Sequence, residues 1–175
     1  ADAKYLLREY LQVSASWLIT HDDEPFPASK LEPFKQMVSQ AADDVPIPYL
    51  LGSSWFYGRQ FKVSPAVLIP RPETEELVQH GLQFLNGKRN QQVVDVGTGS
   101  GIIALTLALE TAGHGHTITA TDISADALAI AKENSKTLNA EVAFIEDDLL
   151  SSTVGQFDLI IANLPYIGET EKNVM

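Results

Sequence analysis

The chain has 175 residues, an apolar fraction of 45%, no cysteine and a formal net charge of −11. That length suits one domain with a small appendage, and the lack of cysteine excludes a disulfide framework and a thiolate metal site. No stretch is apolar for long enough to span a bilayer, no secretory pattern opens the chain, and the acidity weighs against direct nucleic-acid binding, so a cytoplasmic protein without membrane or nucleic-acid partners is expected.

In chain order, Tyr5, Leu6, Leu7, Tyr10, Leu11, Trp17 and Leu18 recur at mostly helical spacing over residues 3–20. The stretch 22–27 contains two prolines and reads as a loop. Ser29, with Glu32 three residues on, predicts a capping box. A second helix then covers 30–42, with Pro33 in its first turn, where a missing N–H costs little. Helices this short bury little apolar surface alone, so residues 1–44 are expected to form a helical lobe packed on something else. Residues 45–72 are rich in Pro, Gly and aromatics and form a linker. Within it, Trp55-Phe56-Tyr57 and Phe61-Lys62-Val63 flank Gly58 as a β-hairpin. Pro70-Arg71-Pro72 holds the chain extended. Glu73, Glu75 and Glu76 then crowd the first turn of a helix, where its dipole favours negative charge.

From residue 91 strands and helices alternate. Gln92–Val96 reads as a strand, 97–101 as a turn, Ile102–Thr111 as a helix and Thr117–Thr121 as a strand. Ser124–Leu138 follows as a helix capped by Ser124, then strands at Val142–Ile145 and Phe157–Ala162. Such alternation means an α/β fold with a mainly parallel sheet, assigned here to residues 73–175. A sheet ending on so apolar a strand would leave a hydrophobic edge, so the domain is expected to be incomplete at its C-terminus.

The chemistry gathers at the strand tips, where open α/β sheets bind ligands. Asp95-Val96-Gly97-Thr98-Gly99-Ser100-Gly101 spans a strand-to-helix turn whose glycines permit close backbone approach. Dinucleotide enzymes place their third glycine one residue later, to seat a pyrophosphate on the helix N-terminus. Here the spacing resembles the Asp-x-Gly-x-Gly-x-Gly loop of class I S-adenosylmethionine (SAM) methyltransferases. Asp95 would suit the ammonium of that cofactor and repel a phosphate. Asp122 ends the next strand, where an acid can accept both ribose hydroxyls. In the methyltransferase pattern an acid after the third strand binds the adenine amino group; Asp148 aligns best, with Leu149 beside the ring. His114 and His116 read as exposed loop histidines, and no metal is expected.

The last strand runs into Asn163-Leu164-Pro165-Tyr166. This resembles the Asn-(Pro/Leu/Ile)-Pro-Tyr signature of SAM enzymes that methylate planar nitrogens. Three segments point to one family: 44–52, 61–75 with its Ile69-Pro70-Arg71-Pro72-Glu73-Thr74-Glu75 run, and the glycine loop with Asn-Leu-Pro-Tyr. Together they resemble HemK/PrmC, the glutamine methyltransferases of peptide-chain release factors. The resemblance implies SAM as cofactor (S-adenosylhomocysteine as product), the glutamine of a Gly-Gly-Gln loop as acceptor, and a release factor as partner; a monomer is expected. Asn163 Oδ1 and the Leu164 carbonyl would accept the two amide hydrogens, with Pro165 stiffening the turn and Tyr166 lining the pocket; Asn163 would also contact the cofactor, together with Asp95, residues 97–101, Asp122, Asp148 and Leu149. The family usually has proline at position 164, and Asn-Leu-Pro-Tyr also resembles ribosomal RNA adenine dimethyltransferases. A non-catalytic SAM-binding module is the further alternative.

Overall fold

The computed structural model describes residues 2–164. Its N-terminal part holds α1 (Asp2–Leu11), α2 (Ala15–Thr20) and α3 (Ala28–Ala42). The apolar rhythm over 3–20 thus covers two helices. Gln12 adopts φ 59°, which ends α1, and Ser14 Oγ accepts the Trp17 N–H at 3.1 Å to open α2. The capping box at Ser29 does not form. α3 starts earlier, with Pro27 as its cap: the Pro27 carbonyl already accepts the Lys30 N–H at 2.9 Å, so Ser29 lies inside the helix. Glu32 pairs instead with Lys35 at 2.8 Å. Pro33 consequently falls in the second turn of α3. Tyr10 and Phe26 pack on Phe34, each with ring centroids 5.4 Å away.

A short helix not expected from the sequence, α4 (Ile47–Leu51), lies against α1 and α3 and ends at Gly52. The hairpin follows as β1 (Ser53–Phe56) and β2 (Arg59–Lys62). Its two-residue turn, Tyr57-Gly58, has φ 49° and 74°; positive values at both positions match the right-handed twist of the strands. Phe56 and Phe61 are buried, edge to face, 6.1 Å apart. Next comes α5 (Pro72–Leu85), with proline at the first helical position.

The sheet domain continues as β3 (Gln92–Val96), α6 (Ile102–Glu110), β4 (Thr117–Asp122), α7 (Ala125–Leu138), β5 (Ala143–Glu146) and β6 (Leu159–Ala162). β6 starts two residues later than expected. Asp158 N donates to Gln92 O at 2.8 Å, but the Asp158 carboxylate rather than its backbone accepts the Gln92 N–H at 2.7 Å. All four strands are parallel, in the order β5-β4-β3-β6. Val93, Ile118, Ala120 and Ile161 point to one face and form the core with α5, α6 and the hairpin phenylalanines. Val94 is fully buried on the other face, as expected of a central parallel strand. Gly81 of α5 is tightly packed: a Cβ would lie 3.0 Å from Ile161 Cδ1 and 3.2 Å from Leu107 Cδ2, so both side chains would have to give. The helix therefore closes tightly on β6 and α6.

This order positions the site. From β3 the chain steps outward to β4 and β5, then returns to the far side of β3 for β6. The reversal opens a crevice beyond the C-terminal ends of β3 and β6. Among the described residues no helix is long and apolar enough to cross a membrane.

Candidate functional site

The glycine loop leaves β3 and is fastened to the tip of β4 by two bonds. Thr98 N donates to Thr121 O at 2.9 Å, and Gly99 N donates to Asp122 Oδ2 at 2.8 Å. Gly101 (φ 82°) starts α6 where a Cβ would lie 3.0 Å from Leu105 Cδ1 and 3.1 Å from Ala131 Cβ. Gly99 (φ 56°) is the opposite case: a Cβ there would meet nothing within 4 Å. The loop thus turns an open backbone edge at Gly99 outward and packs its other end against α7. Ser100, itself 2% exposed, gives its carbonyl to Asn134 Nδ2 at 2.9 Å.

Asp95 lies beneath this loop and is completely buried. Its Oδ2 accepts from Thr98 Oγ1 at 2.6 Å and from Ala104 N at 3.2 Å. Oδ1 has no partner among the described residues. Burial pushes its pKa up to about 6, against the two hydrogen bonds that favour the charged form; the nearby Asp122 carboxylate adds to the rise. By charge and position Asp95 suits a cofactor ammonium. In this geometry its contacts are internal, and it braces the glycine loop on the first turn of α6.

Asp122 is partly exposed at the end of β4, and it holds Ser124 N through Oδ1 at 2.9 Å while Oδ2 holds Gly99 N. Ser124 caps α7 as expected, accepting from Ala127 N at 3.2 Å. Beyond β5 the two acids divide. Asp147 is buried and accepts from Ser151 Oγ, Ser152 N, Thr153 N and Thr153 Oγ1 at 2.6–3.1 Å. Those bonds, led by the Thr153 hydroxyl, hold its carboxyl well below the usual carboxylate range. Asp148 is exposed, and Leu149 beside it is 54% exposed, its carbonyl anchored by Thr121 Oγ1 at 2.9 Å. The tips of β3, β4 and β5 are therefore one hydrogen-bonded rim.

Asn163 and Leu164 leave β6 on the other side of the reversal. Asn163 Nδ2 donates to the Thr74 hydroxyl of α5 at 3.1 Å. The Leu164 side chain covers Gly97, where a Cβ would strike it. Both residues line a cleft of about 620 Å³ with Leu68, Arg71, Thr74 and His80 among its walls. Pro165 and Tyr166 lie outside the described residues. A larger cavity, about 900 Å³, runs among the N-terminal helices at Tyr5, Leu11, Trp17, Ile19 and Phe26; it shares no lining residue with this cleft.

Three site residues escaped the sequence reading. Asn134 is 2% exposed on α7 and makes three bonds: Oδ1 accepts from Lys62 N at 2.7 Å, and Nδ2 donates to Lys62 O at 3.0 Å and to Ser100 O. It joins the hairpin to the glycine loop. An asparagine in mid-helix, where its propensity is poor, was the available signal. Thr74 was visible only as part of an acidic turn, and Asp147 only as the neighbour of Asp148. One reading is corrected. His116 is not an exposed loop histidine: Nδ1 accepts from Gln91 N at 3.1 Å, Nε2 is buried, and burial lowers its pKa.

A parallel sheet in the order β5-β4-β3-β6, reversing at a glycine-rich turn, defines a Rossmann-like class I methyltransferase fold. The same fold occurs in a T. thermophilus 16S rRNA methyltransferase solved with AdoMet and guanosine, at TM-score 0.55 and 20% identity, covering 66% of this chain and 32% of that one. It occurs also in a Pyrococcus abyssi tRNA methyltransferase solved with S-adenosyl-L-homocysteine, at TM-score 0.52 and 18% identity, covering 65% and 28%. Residues 76–175 match the methyltransferase small domain, and residues 1–52 match the PrmC N-terminal domain. The chain belongs to the methyltransferase small domain family, as a HemK/PrmC member. It is 42% identical to the release factor glutamine methyltransferases of Koribacter versatilis and Bacillus subtilis, over 97% of this chain and 60% of each relative. The Xylella fastidiosa enzyme of that name is 43% identical, over 99% of this chain and 63% of its own length. The chain thus spans about three fifths of the curated relatives it matches.

Proposed function

We propose that the protein transfers a methyl group from SAM to the side-chain amide nitrogen of the glutamine in the Gly-Gly-Gln loop of peptide-chain release factors. The observation that carries this reading is Asn163. It ends β6 at the sheet reversal, lines the cleft, and has Nδ2 committed to Thr74. Oδ1 is then the amide atom left for a ligand that brings N–H donors.

The rim opposite suits the cofactor. Gly99 offers backbone with open space beside it, Asp122 has unused lone pairs for ribose hydroxyls, and Asp148 with Leu149 presents an exposed acid beside an exposed apolar side chain. Gly97, Thr98, Gly99, Ser100 and Gly101 would bound the amino-acid end, with Asp95 bracing them from below. SAM supplies a methyl group activated by its positive sulfonium.

The protein's own task is positioning. A glutamine nitrogen is a poor nucleophile because its lone pair is delocalised into the carbonyl. Asn163 Oδ1 and the Leu164 carbonyl, two fixed acceptors, would hold its two hydrogens, stabilise positive charge developing on nitrogen and aim the lone pair. Pro165 and Tyr166 would complete the wall. Leucine at 164 keeps the carbonyl this role requires. Residues 1–44 serve as the substrate lobe, 45–72 as the linker and 73–175 as the methyltransferase domain. The protein acts as a cytoplasmic monomer on an intact protein partner, without direct nucleic-acid contact; its acidic charge suits a partner with basic patches.

The test is incubation of the full-length protein with labelled SAM and purified release factor, followed by peptide mapping. Label on the Gly-Gly-Gln glutamine is expected. Label on adenine in ribosomal subunits, with release factor unmodified, would overturn the proposal.

A further inference from the structure

An asparagine side chain is nearly symmetric in shape but opposite in chemistry at its two ends. A glutamine amide nitrogen carries two N–H donors. It is held only if Asn163 presents Oδ1 to the cleft; a half-turn would face it with an NH₂ group, donor against donor. The preceding strand residues Ile160, Ile161 and Ala162 are apolar and do not fix that choice.

Among the described residues, the polar partner of Asn163 lies 89 residues away in sequence. Thr74 is 5% exposed, the third residue of α5, and its backbone N–H is spent on Arg71 O at 3.0 Å. Its hydroxyl is therefore held on a packed helix turn, 3.1 Å from Asn163 Nδ2. The same turn is pinned from its other side: Glu75 Oε1 accepts the Tyr57 N–H of the hairpin at 2.9 Å. Both α5 and the hairpin thus set where this hydroxyl sits.

We propose that Thr74 is a positioning residue: its hydroxyl, here accepting from Asn163 Nδ2, anchors the amide and fixes its plane, so that an acceptor bringing N–H donors meets Oδ1 already in place. This rests on the reading of Asn163 given above. A hydroxyl is suited to the task because it is short, satisfies Nδ2 without adding charge to the cleft, and is carried on a helix rather than a loop. Valine at this position would keep the volume and remove the acceptor. The Asn163 amide would then be free to rotate, and Nδ2 would compete with Oδ1 for the cleft.

The test uses the full-length protein, intact release factor, and the variants Thr74→Val and Thr74→Ser. Methyl transfer by Thr74→Val is expected to fall about 10- to 100-fold in kcat, the scale of a small misplacement at a reacting centre. SAM affinity should stay within about twofold of the original, since Thr74 lies outside the cofactor rim, and Thr74→Ser should restore most of the rate. A second readout needs no activity. In nitrogen-15 spectra the two Asn163 side-chain N–H signals should be separated and slow to exchange, and should move toward free-amide positions in Thr74→Val. Unchanged kcat, an equally impaired serine variant, parallel loss of SAM affinity and thermal stability, or unmoved Asn163 signals would each overturn the assignment. Failure of the unaltered protein to label release factor counts against the proposed function instead, and the amide spectra still decide the role of Thr74.

Discussion

Replacing Asp95 by Asn should flatten a defined part of the stability–pH curve. Asp95 is completely buried, and burial raises its pKa from 3.8 to about 6. In the unfolded chain the carboxyl loses its proton near 3.8; in the folded protein it keeps it until about 6. Between those values the native state binds more protons, so the contribution of this group to stability is fully present below 3.8 and is lost as pH rises through 6. A shift of about two units at about 1.4 kcal/mol each corresponds to roughly 3 kcal/mol. Asparagine preserves an oxygen for Thr98 Oγ1 and Ala104 N, and replaces an unpartnered oxygen with an unpartnered NH₂. Its structural cost should therefore be nearly independent of pH. Urea unfolding of both proteins at steps from pH 3.5 to 7.5 measures the difference, in which the other carboxylates cancel. The stability of the original protein minus that of Asp95→Asn should drop by about 3 kcal/mol across the window. A difference that is flat in pH, or that rises with it, would refute the claim that Asp95 is a desolvated carboxyl.

Asn134→Ala would orphan Lys62 N, Lys62 O and Ser100 O, so a loss of roughly 3 kcal/mol or more is expected by chemical denaturation, together with weaker SAM binding as the glycine loop loosens. Gly99→Phe should cost about 1–2 kcal/mol for a side chain at φ 56° and still fold, since a Cβ there meets nothing within 4 Å, yet lose SAM binding in calorimetry. Unchanged affinity would remove the glycine loop from the cofactor site. Asn163→Ala should lower kcat by about 10²–10³ while SAM affinity survives. Near-normal turnover would reduce Asn163 to a turn residue.

Much of the local framework was legible from residue order because it depends on neighbours only a few positions apart. Ser124 caps α7, the Tyr57-Gly58 turn makes a hairpin, and the glycines between Asp95 and Ile102 make a strand-to-helix turn, each set by backbone preferences over three to five residues. The same local reading failed at Ser29, where Pro27 opened the helix first, and at residues 12–14, where a cap hid inside a continuous apolar rhythm. The resemblance of residues 61–75 and 95–101 to a known family pointed to methyl transfer without a structure. The roles of individual polar groups were another matter. Asp95 bears a charge suited to a ligand, but whether it meets one depends on α6 closing over it, and its burial turns it inward. Asp147 and Asp148 are identical in type and adjacent, yet one is consumed by a turn and the other faces solvent. Asn134 reaches Lys62 across 72 residues and Asn163 reaches Thr74 across 89. A hydrogen bond is decided by which atoms lie within about 3 Å of each other. At such separations that depends on the strand order β5-β4-β3-β6 and on the seating of α5 and α7, which no short stretch of sequence contains.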